Sequence, residues 1–313
     1  MKVLFLVYSF FMVFCYFDEE IAMKFVTKEF IPKGWSQDKK YCVTDENSKS
    51  YLLRVMPHSD EASVRLSHEM MKKVEAQGVP MCRSMEYGVC EEGPYQLQTW
   101  IEGSDAEEII PTLSDADQYH YGFEAGQIAR RIHQIPAPEE IEDWESRFNC
   151  KASRKIQMYL SCPLRYEGGY AFIEYIENNR HLLKDRPQTY QHGDYHVGNM
   201  MIDCRGQLQI IDFNRDDYGD PWEEFNRIVW CAQTSPRFAS GMVDGYFDGQ
   251  VPMLFWQLLA FYISSNALSS LPWAVPFGEN EVQVMMKQGA EILQWYDGMK
   301  QVVPSWYRKG EFE

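Results

Sequence analysis

QHGDYHVGNMMIDCRGQLQIIDFNRDDYGD, residues Gln191 to Asp220, is the stretch on which the fold turns. It reads as a loop followed by a hairpin. Met200-Met201-Ile202 is one apolar run, and Gln207 to Ile211 is a second with partial alternation. Asp203-Cys204-Arg205-Gly206 between them has turn chemistry. Pairing Ile202 with Gln207 sets Asn199 opposite Ile210 and leaves Asp212 just beyond, at the open end of the hairpin. Leu208, Ile210 and Asp212 then share a face, so a carboxylate continues an apolar row at a strand end. Asp194 precedes that end in the loop. Two acids and an amide converge, and their oxygens are hard donors of the kind magnesium prefers.

The surrounding chain is ordinary in bulk: 313 residues, 45% hydrophobic and 24% charged, enough to bury a large core in two lobes. The net charge of -16 argues against a nucleic-acid partner, which needs clustered Lys and Arg. It is compatible with a cationic substrate, although solubility explains it as well. Eight cysteines are scattered with no Cys-x-x-Cys pair or zinc spacing, as expected of free thiols in a reducing cytoplasm. Gly-x-x-x-x-Gly-Lys-[Ser/Thr], His-Glu-x-x-His and Gly-x-Ser-x-Gly are absent, so P-loop, zinc-protease and hydrolase readings lack support. Val3 to Phe17 is apolar, but too short for a comfortable membrane span and followed by no small-residue cleavage site. The favoured expectation is a translation start at Met23, with residues 1–22 an extension and no membrane partner.

His192-Gly193-Asp194-Tyr195-His196-Val197-Gly198-Asn199 has the form His-x-Asp-x-x-x-x-Asn, and Ile211-Asp212-Phe213 follows it. The pair resembles the catalytic and metal loops of the aminoglycoside phosphotransferase family. Protein kinases carry His-Arg-Asp and Asp-Phe-Gly there, so the His-Gly-Asp opening points to the small-molecule branch. The resemblance implies an α+β, protein-kinase-like two-lobe fold. Its small antiparallel-sheet N-lobe would span residues 23–98, a hinge 99–103, and a large, mostly helical C-lobe 104–313. It implies transfer of the terminal phosphate of ATP or GTP, with Mg²⁺, to a hydroxyl of a small molecule such as an aminoglycoside-like antibiotic.

The site residues follow from the same resemblance. Asp194 is the catalytic carboxylate, and Asn199 and Asp212 hold the metal. Arg54 stands where protein kinases place a Lys and can grip phosphate bidentately. Glu69 is expected to fix Arg54 by pairing with it. Ser36 falls in the reduced phosphate loop, and main-chain groups of Trp100, Ile101 and Glu102 would read the adenine edge. His192 is expected to pack the loop, His196 to bond within it, and His133 to be structural. A metabolic kinase for choline, a sugar or an amino-acid derivative stays open. So does a non-catalytic nucleotide-binding protein of kinase shape, against which the intact Asp194, Asn199 and Asp212 count.

Periodicity supplies the rest. Strands are expected at Lys24–Ile31, from Tyr41, at Tyr51–Val55, Met85–Cys90 and Pro94–Ile101. A helix capped near Ser59-Asp60 carries the stripe Leu66, Met70, Met71, Val74, and a second starts at Ser114. Helices separated by a loop fill Trp144–Asn179. An aromatic-rich helical tail follows Asp220, with Asp244, Asp248, Glu279 and Glu281 as acids that could face an acceptor.

Overall fold

Alternating apolar residues in the first hundred positions build a five-stranded antiparallel sheet. Its strands are β1 (Phe25–Phe30), β2 (Lys39–Asp45), β3 (Ser50–Val55), β4 (Ser84–Cys90) and β5 (Gly93–Thr99), in the order β1-β2-β3-β5-β4. The computed structural model describes residues 23–32 and 37–310; the Val3–Phe17 stretch and Ser36 lie outside the described residues. Tyr51, Leu53 and Val55 of β3 cluster with Val43, Tyr95 and Leu97 on one face. The period of two sends Arg54 and its cross-strand partner Gln96 to the other face.

Helix α1 (Glu61–Ala76) starts at Asp60, whose Oδ1 accepts from Ser63 N at 2.7 Å. Its buried stripe runs Val64, Met71, Val74, with half-buried His68 bonded to Ser84 Oγ at 2.7 Å. Leu66, expected on that stripe, is 54% exposed. The true face is set by the i, i+4, i+7, i+10 row from Val64, which leaves Leu66 and Glu69 outside it.

Backbone contacts divide the chain into two units, one running to Lys73 and adding Cys82–Ile101, the other comprising Val74–Met81 and everything from Glu102. In the second unit, β6 (Gly103–Asp105) is followed by α2 (Ala106–Ile109), α3 (Asp115–Ile132), α4 (Trp144–Ser161) and α5 (Tyr170–Asn179). Strands β7 (Thr189–Gln191), β8 (Met200–Asp203), β9 (Leu208–Ile210) and β10 (Asp217–Gly219) come next, then α6 (Ile228–Thr234), α7 (Pro236–Phe247), α8 (Met253–Ala274) and α9 (Glu279–Trp295). Ser114 Oγ caps α3 by accepting from Asp117 N.

Two short sheets, β6-β8-β9 and β7-β10, carry the hairpin and the strand leading into it. Glycines weld α3 to α7. A Cβ at Gly122 or Gly126 would lie 2.0 or 2.1 Å from a carbonyl oxygen of α7, and one at Gly241 or Gly245 would meet α3 equally closely. Helix α8 and its extension (Met253–Phe277) are long and apolar enough to cross a membrane, yet 72% of that window is buried inside the protein, as in a core helix. Tyr246, Trp256, Phe261, Tyr262, Tyr296 and Trp306 of the aromatic tail are buried, whereas Trp273 is 38% exposed.

Candidate active site

The loop from β7 to β8 is held by its own polar groups. Asp194 N donates to His192 Nδ1 at 3.3 Å, so the ring proton sits on Nε2 and is donated to Ile211 O at 2.9 Å. His192 is fully buried, edge-on to Phe213 at 4.5 Å, and thereby ties the loop to the far strand of the hairpin. Gly193 has φ +80°, and a Cβ there would lie 1.8 Å from Arg215 O, so only glycine lets the two segments touch. Beneath them lies Glu224. Its Oε2 accepts from His192 N at 2.6 Å and its Oε1 from Gly193 N at 3.0 Å. His133 is buried too, within 3.7 Å of Glu224 and bonded to Tyr246 OH at 3.0 Å.

The hairpin register differs by one residue from that expected. Ile202 pairs with Leu208, and Met200 with Ile210. The cause lies in the turn: Gly206 has φ +77°, and the Asp203 carboxylate accepts from both Arg205 N and Gln207 N at 2.9 Å. Gln207 is thus drawn into the turn, where it closes against Asp203. Asn199 now sits beside Ile211, whose N–H donates to Asn199 O at 3.0 Å. Asp212 immediately follows with φ +68°, so it leaves the strand in a left-handed turn and does not continue the Leu208/Ile210 row. A non-glycine residue held there is locally strained, a feature concentrated at functional sites.

Asn199 Nδ2 donates to Asp194 O at 2.9 Å and to Asp194 Oδ2 at 3.2 Å. With the nitrogen committed, the amide oxygen Oδ1 is the group left to bind a cation, and the backbone places Asp212 directly after Ile211, which is bonded to Asn199 O. Asp194 also faces Arg227 Nε at 3.3 Å, Arg215 Nη1 at 3.7 Å and His196 Nε2 at 3.8 Å. The Arg227 Nε–H is buried but not aligned for a hydrogen bond with that carboxylate. Burial pushes the His196 imidazole down to about 4, Asp194 pulling the other way and Arg227 reinforcing the drop. It is therefore neutral at pH 7, its Nδ1 accepting from Gly198 N at 3.1 Å within the loop.

The sheet residues require a correction. Arg54 is buried, but its Nε and Nη2 both lie 2.6 Å from Asp38 Oδ2, just before β2, and do not pair with Glu69. Glu69 is half-exposed and pairs with Arg65 one turn back, at 3.4 Å. The α1 face that meets the sheet carries His68, so Glu69, about 100° further round, points away. Trp100 and Ile101 are half-buried and Glu102 is exposed, with Glu102 O accepting from Cys204 N at 2.9 Å. Asp244 is spent within the core, accepting from Tyr119 OH at 2.7 Å and Tyr307 OH at 2.6 Å. Glu224, Arg227 and Asp38 were not foreseen. Glu224 carried a usable signal, since its spacing to Ile228 and Cys231 puts an acid on the apolar face of a helix.

The profile of the Phosphotransferase enzyme family matches residues 28–256. No curated protein matches the sequence. Among solved structures, a choline/ethanolamine kinase family protein from Mesorhizobium loti is similar, with 14% identity, 88% of this chain and 92% of that one covered, and a TM-score of 0.64. A thermostable mutant of aminoglycoside phosphotransferase APH(4)-Ia in ternary complex with ADP and hygromycin B shares 14% identity, with 86% and 93% covered and a TM-score of 0.61. The GDP complex of a mutant aminoglycoside 2′-phosphotransferase-IIIa shares 13%, with 88% and 94% covered and a TM-score of 0.65. These likenesses define a protein-kinase-like α+β fold. The chain belongs to the Phosphotransferase enzyme family.

Proposed function

We propose that the protein transfers the terminal phosphate of a nucleoside triphosphate, ATP or GTP, to a hydroxyl of a small molecule. The observation that carries this reading is the Asn199 amide, which spends its nitrogen on Asp194 and leaves its oxygen uncommitted, with the strained Asp212 following Ile211, the backbone partner of Asn199. Asn199 Oδ1 and the Asp212 carboxylate suit Mg²⁺, which takes most of its shell from water and phosphate oxygens. When bound, Mg²⁺ neutralises charge on the phosphates. The chain's own residues position the reactants and accept the proton. Asp194 accepts the hydrogen bond, and then the proton, of the acceptor hydroxyl as its oxygen bonds to the γ-phosphorus and the bond to the nucleoside diphosphate breaks. Asn199 holds Asp194 in place through its amide nitrogen. Arg54, braced by Asp38, clamps phosphate oxygens, and main-chain groups of Trp100 to Glu102 read the base. The reducing cytoplasm suits the described cysteines, none of which is in a disulfide.

Nucleotide complexes of the similar structures support the donor. The test is Mg·ATP consumption over acceptor panels of aminoglycosides, macrolides, choline, sugars and sugar acids. Asp194→Ala abolishes transfer while nucleotide still binds; full turnover in that variant refutes the role given to Asp194.

A further inference from the structure

One helical run grips the loop that carries Asp194. A tight 3₁₀ turn, Glu223–Arg227, leads directly into α6. Residues three apart eclipse in a 3₁₀ turn, and residues four apart share a face of an α-helix. Glu224, Arg227 and Cys231 therefore form one row. The ends of the row hold the backbone of the loop. Glu224 accepts from the N–H groups of His192 and Gly193, and Cys231 Sγ accepts from Val197 N at 3.3 Å. Arg227, between them, meets the reacting side chain itself: its Nε lies 3.3 Å from Asp194 Oδ1.

Burial decides which neighbour of that carboxylate matters most. Arg215 Nη1 stands 3.7 Å from Oδ2, but its side chain is 47% exposed, and solvent screens its charge. His196 Nε2 is 3.8 Å from Oδ1, and its ring is neutral at pH 7. The Arg227 side chain is 24% exposed and its Nε is buried, so its charge reaches Oδ1 with less screening than that of Arg215. The Nε–H has no hydrogen-bond partner. A buried donor left so is costly, and Oδ1 is an acceptor within its reach. Hydrogen bonds of catalytic groups commonly align only once the substrates are bound.

We propose that Arg227 is a positioning residue for phosphoryl transfer, holding Oδ1 of Asp194 toward the acceptor hydroxyl while Asn199 holds Oδ2. This rests on the phosphotransferase reading and deepens it. A carboxylate oxygen has two lone pairs, so Oδ1 can take the Arg227 N–H on one and the hydroxyl proton on the other. Held at Oδ2 alone, the carboxylate can turn about its Cβ–Cγ bond, and the hydroxyl loses its direction of attack. The test compares Arg227→Gln, Arg227→Met and Arg227→Lys with the wild type and Asp194→Ala. Calorimetry gives the Kd for Mg·ATP, and urea midpoints report folding. ADP release gives kcat and KM, with the best acceptor of the panel or with water as acceptor.

Both neutral variants should lose at least about tenfold in kcat, while Kd and KM for Mg·ATP stay within about twofold of wild type. Arg227→Lys keeps a cation at a similar reach and should recover most of the loss. Arg227→Met retains the packing of the apolar stem and carries the test if the glutamine variant misfolds. A folded neutral variant with wild-type kcat, a loss that lysine does not recover, or a loss carried by KM for nucleotide overturns the inference. Asp194→Ala separates the two levels. If it is inactive while the neutral Arg227 variants turn over normally, only the positioning role falls. If it turns over like the wild type, the role given to Asp194 falls with it. A wild type that releases no ADP with any acceptor or with water sinks the phosphotransferase reading itself.

Discussion

Glu224→Gln is the most informative single change outside the reacting groups. Glu224 is 2% exposed, and its two oxygens collect the main-chain N–H groups of His192 at 2.6 Å, Gly193 at 3.0 Å and Tyr195 at 3.4 Å. Three donors within four residues point inward at one carboxylate because Gly193 turns the chain back through positive φ. Glutamine keeps the shape but offers one oxygen; its NH₂ must face at least one of those donors, and the charge is gone. Each charge-assisted bond contributes about 1.5–3 kcal/mol, and a buried donor left unsatisfied costs a further ~1–3 kcal/mol. Burying a neutral amide in place of a carboxylate recovers part of that. The net expectation is a loss of about 3 kcal/mol in urea unfolding at pH 7, a shift in Tm of about 5 °C for a chain of this length. Because this carboxylate fixes the segment bearing Asp194, a displacement near 1 Å follows, and kcat should fall by about 10². Amide exchange at His192, Gly193 and Tyr195 should accelerate more than exchange in the five-stranded sheet. A variant within about 0.5 kcal/mol of wild type, with unchanged exchange at those three amides, refutes the anchoring argument.

Three further outcomes follow from the geometry. Gly126→Ala puts a methyl 2.1 Å from Met242 O, so it should destabilise by about 3 kcal/mol in urea unfolding, whereas Gly249→Ala, with open space around it, should cost only the strain of its positive φ, about 1 kcal/mol. Lys155 has its folded pKa lowered to about 7 from 10.5, so between those values the unfolded chain binds the extra proton and stability rises with pH; below pH 7 the cost is constant and complete. Lys155→Met should therefore stabilise the protein by a few kcal/mol at pH 6 and by much less at pH 10.5, read from unfolding curves at both. Asp38→Ala should raise the KM for nucleotide several-fold by freeing the Arg54 guanidinium from its brace; an unchanged KM removes Arg54 from the phosphate site.

Much of this was readable from sequence because its causes are local. Alternation of period two gave the five strands, and Ser114 and Asp60 marked helix starts that their side-chain bonds bear out. The His-x-Asp-x-x-x-x-Asn spacing brought Asp194 and Asn199 within hydrogen-bonding distance. What escaped depended on single dihedrals or on distant partners. The one-residue shift of the hairpin comes from Gly206 and the Asp203 carboxylate, and Asp212 leaves its strand face through a positive φ. Glu69 was misassigned because a helix whose apolar stripe includes a histidine turns its face by one position. Glu224 and Arg227 meet the loop from about 30 residues away; helical spacing marks Glu224 as an acid on an apolar face but names no partner for either.

The central claim is that Asn199 and Asp212 hold a metal-nucleotide beside Asp194. Calorimetric titration of ATP, with and without Mg²⁺, into the wild type, Asp194→Ala and Asp212→Ala tests it most directly. The account predicts Mg²⁺-dependent binding to the wild type and to Asp194→Ala, and its loss in Asp212→Ala. A wild type that binds no Mg·ATP, or an Asp212→Ala variant that binds as tightly as wild type, contradicts it.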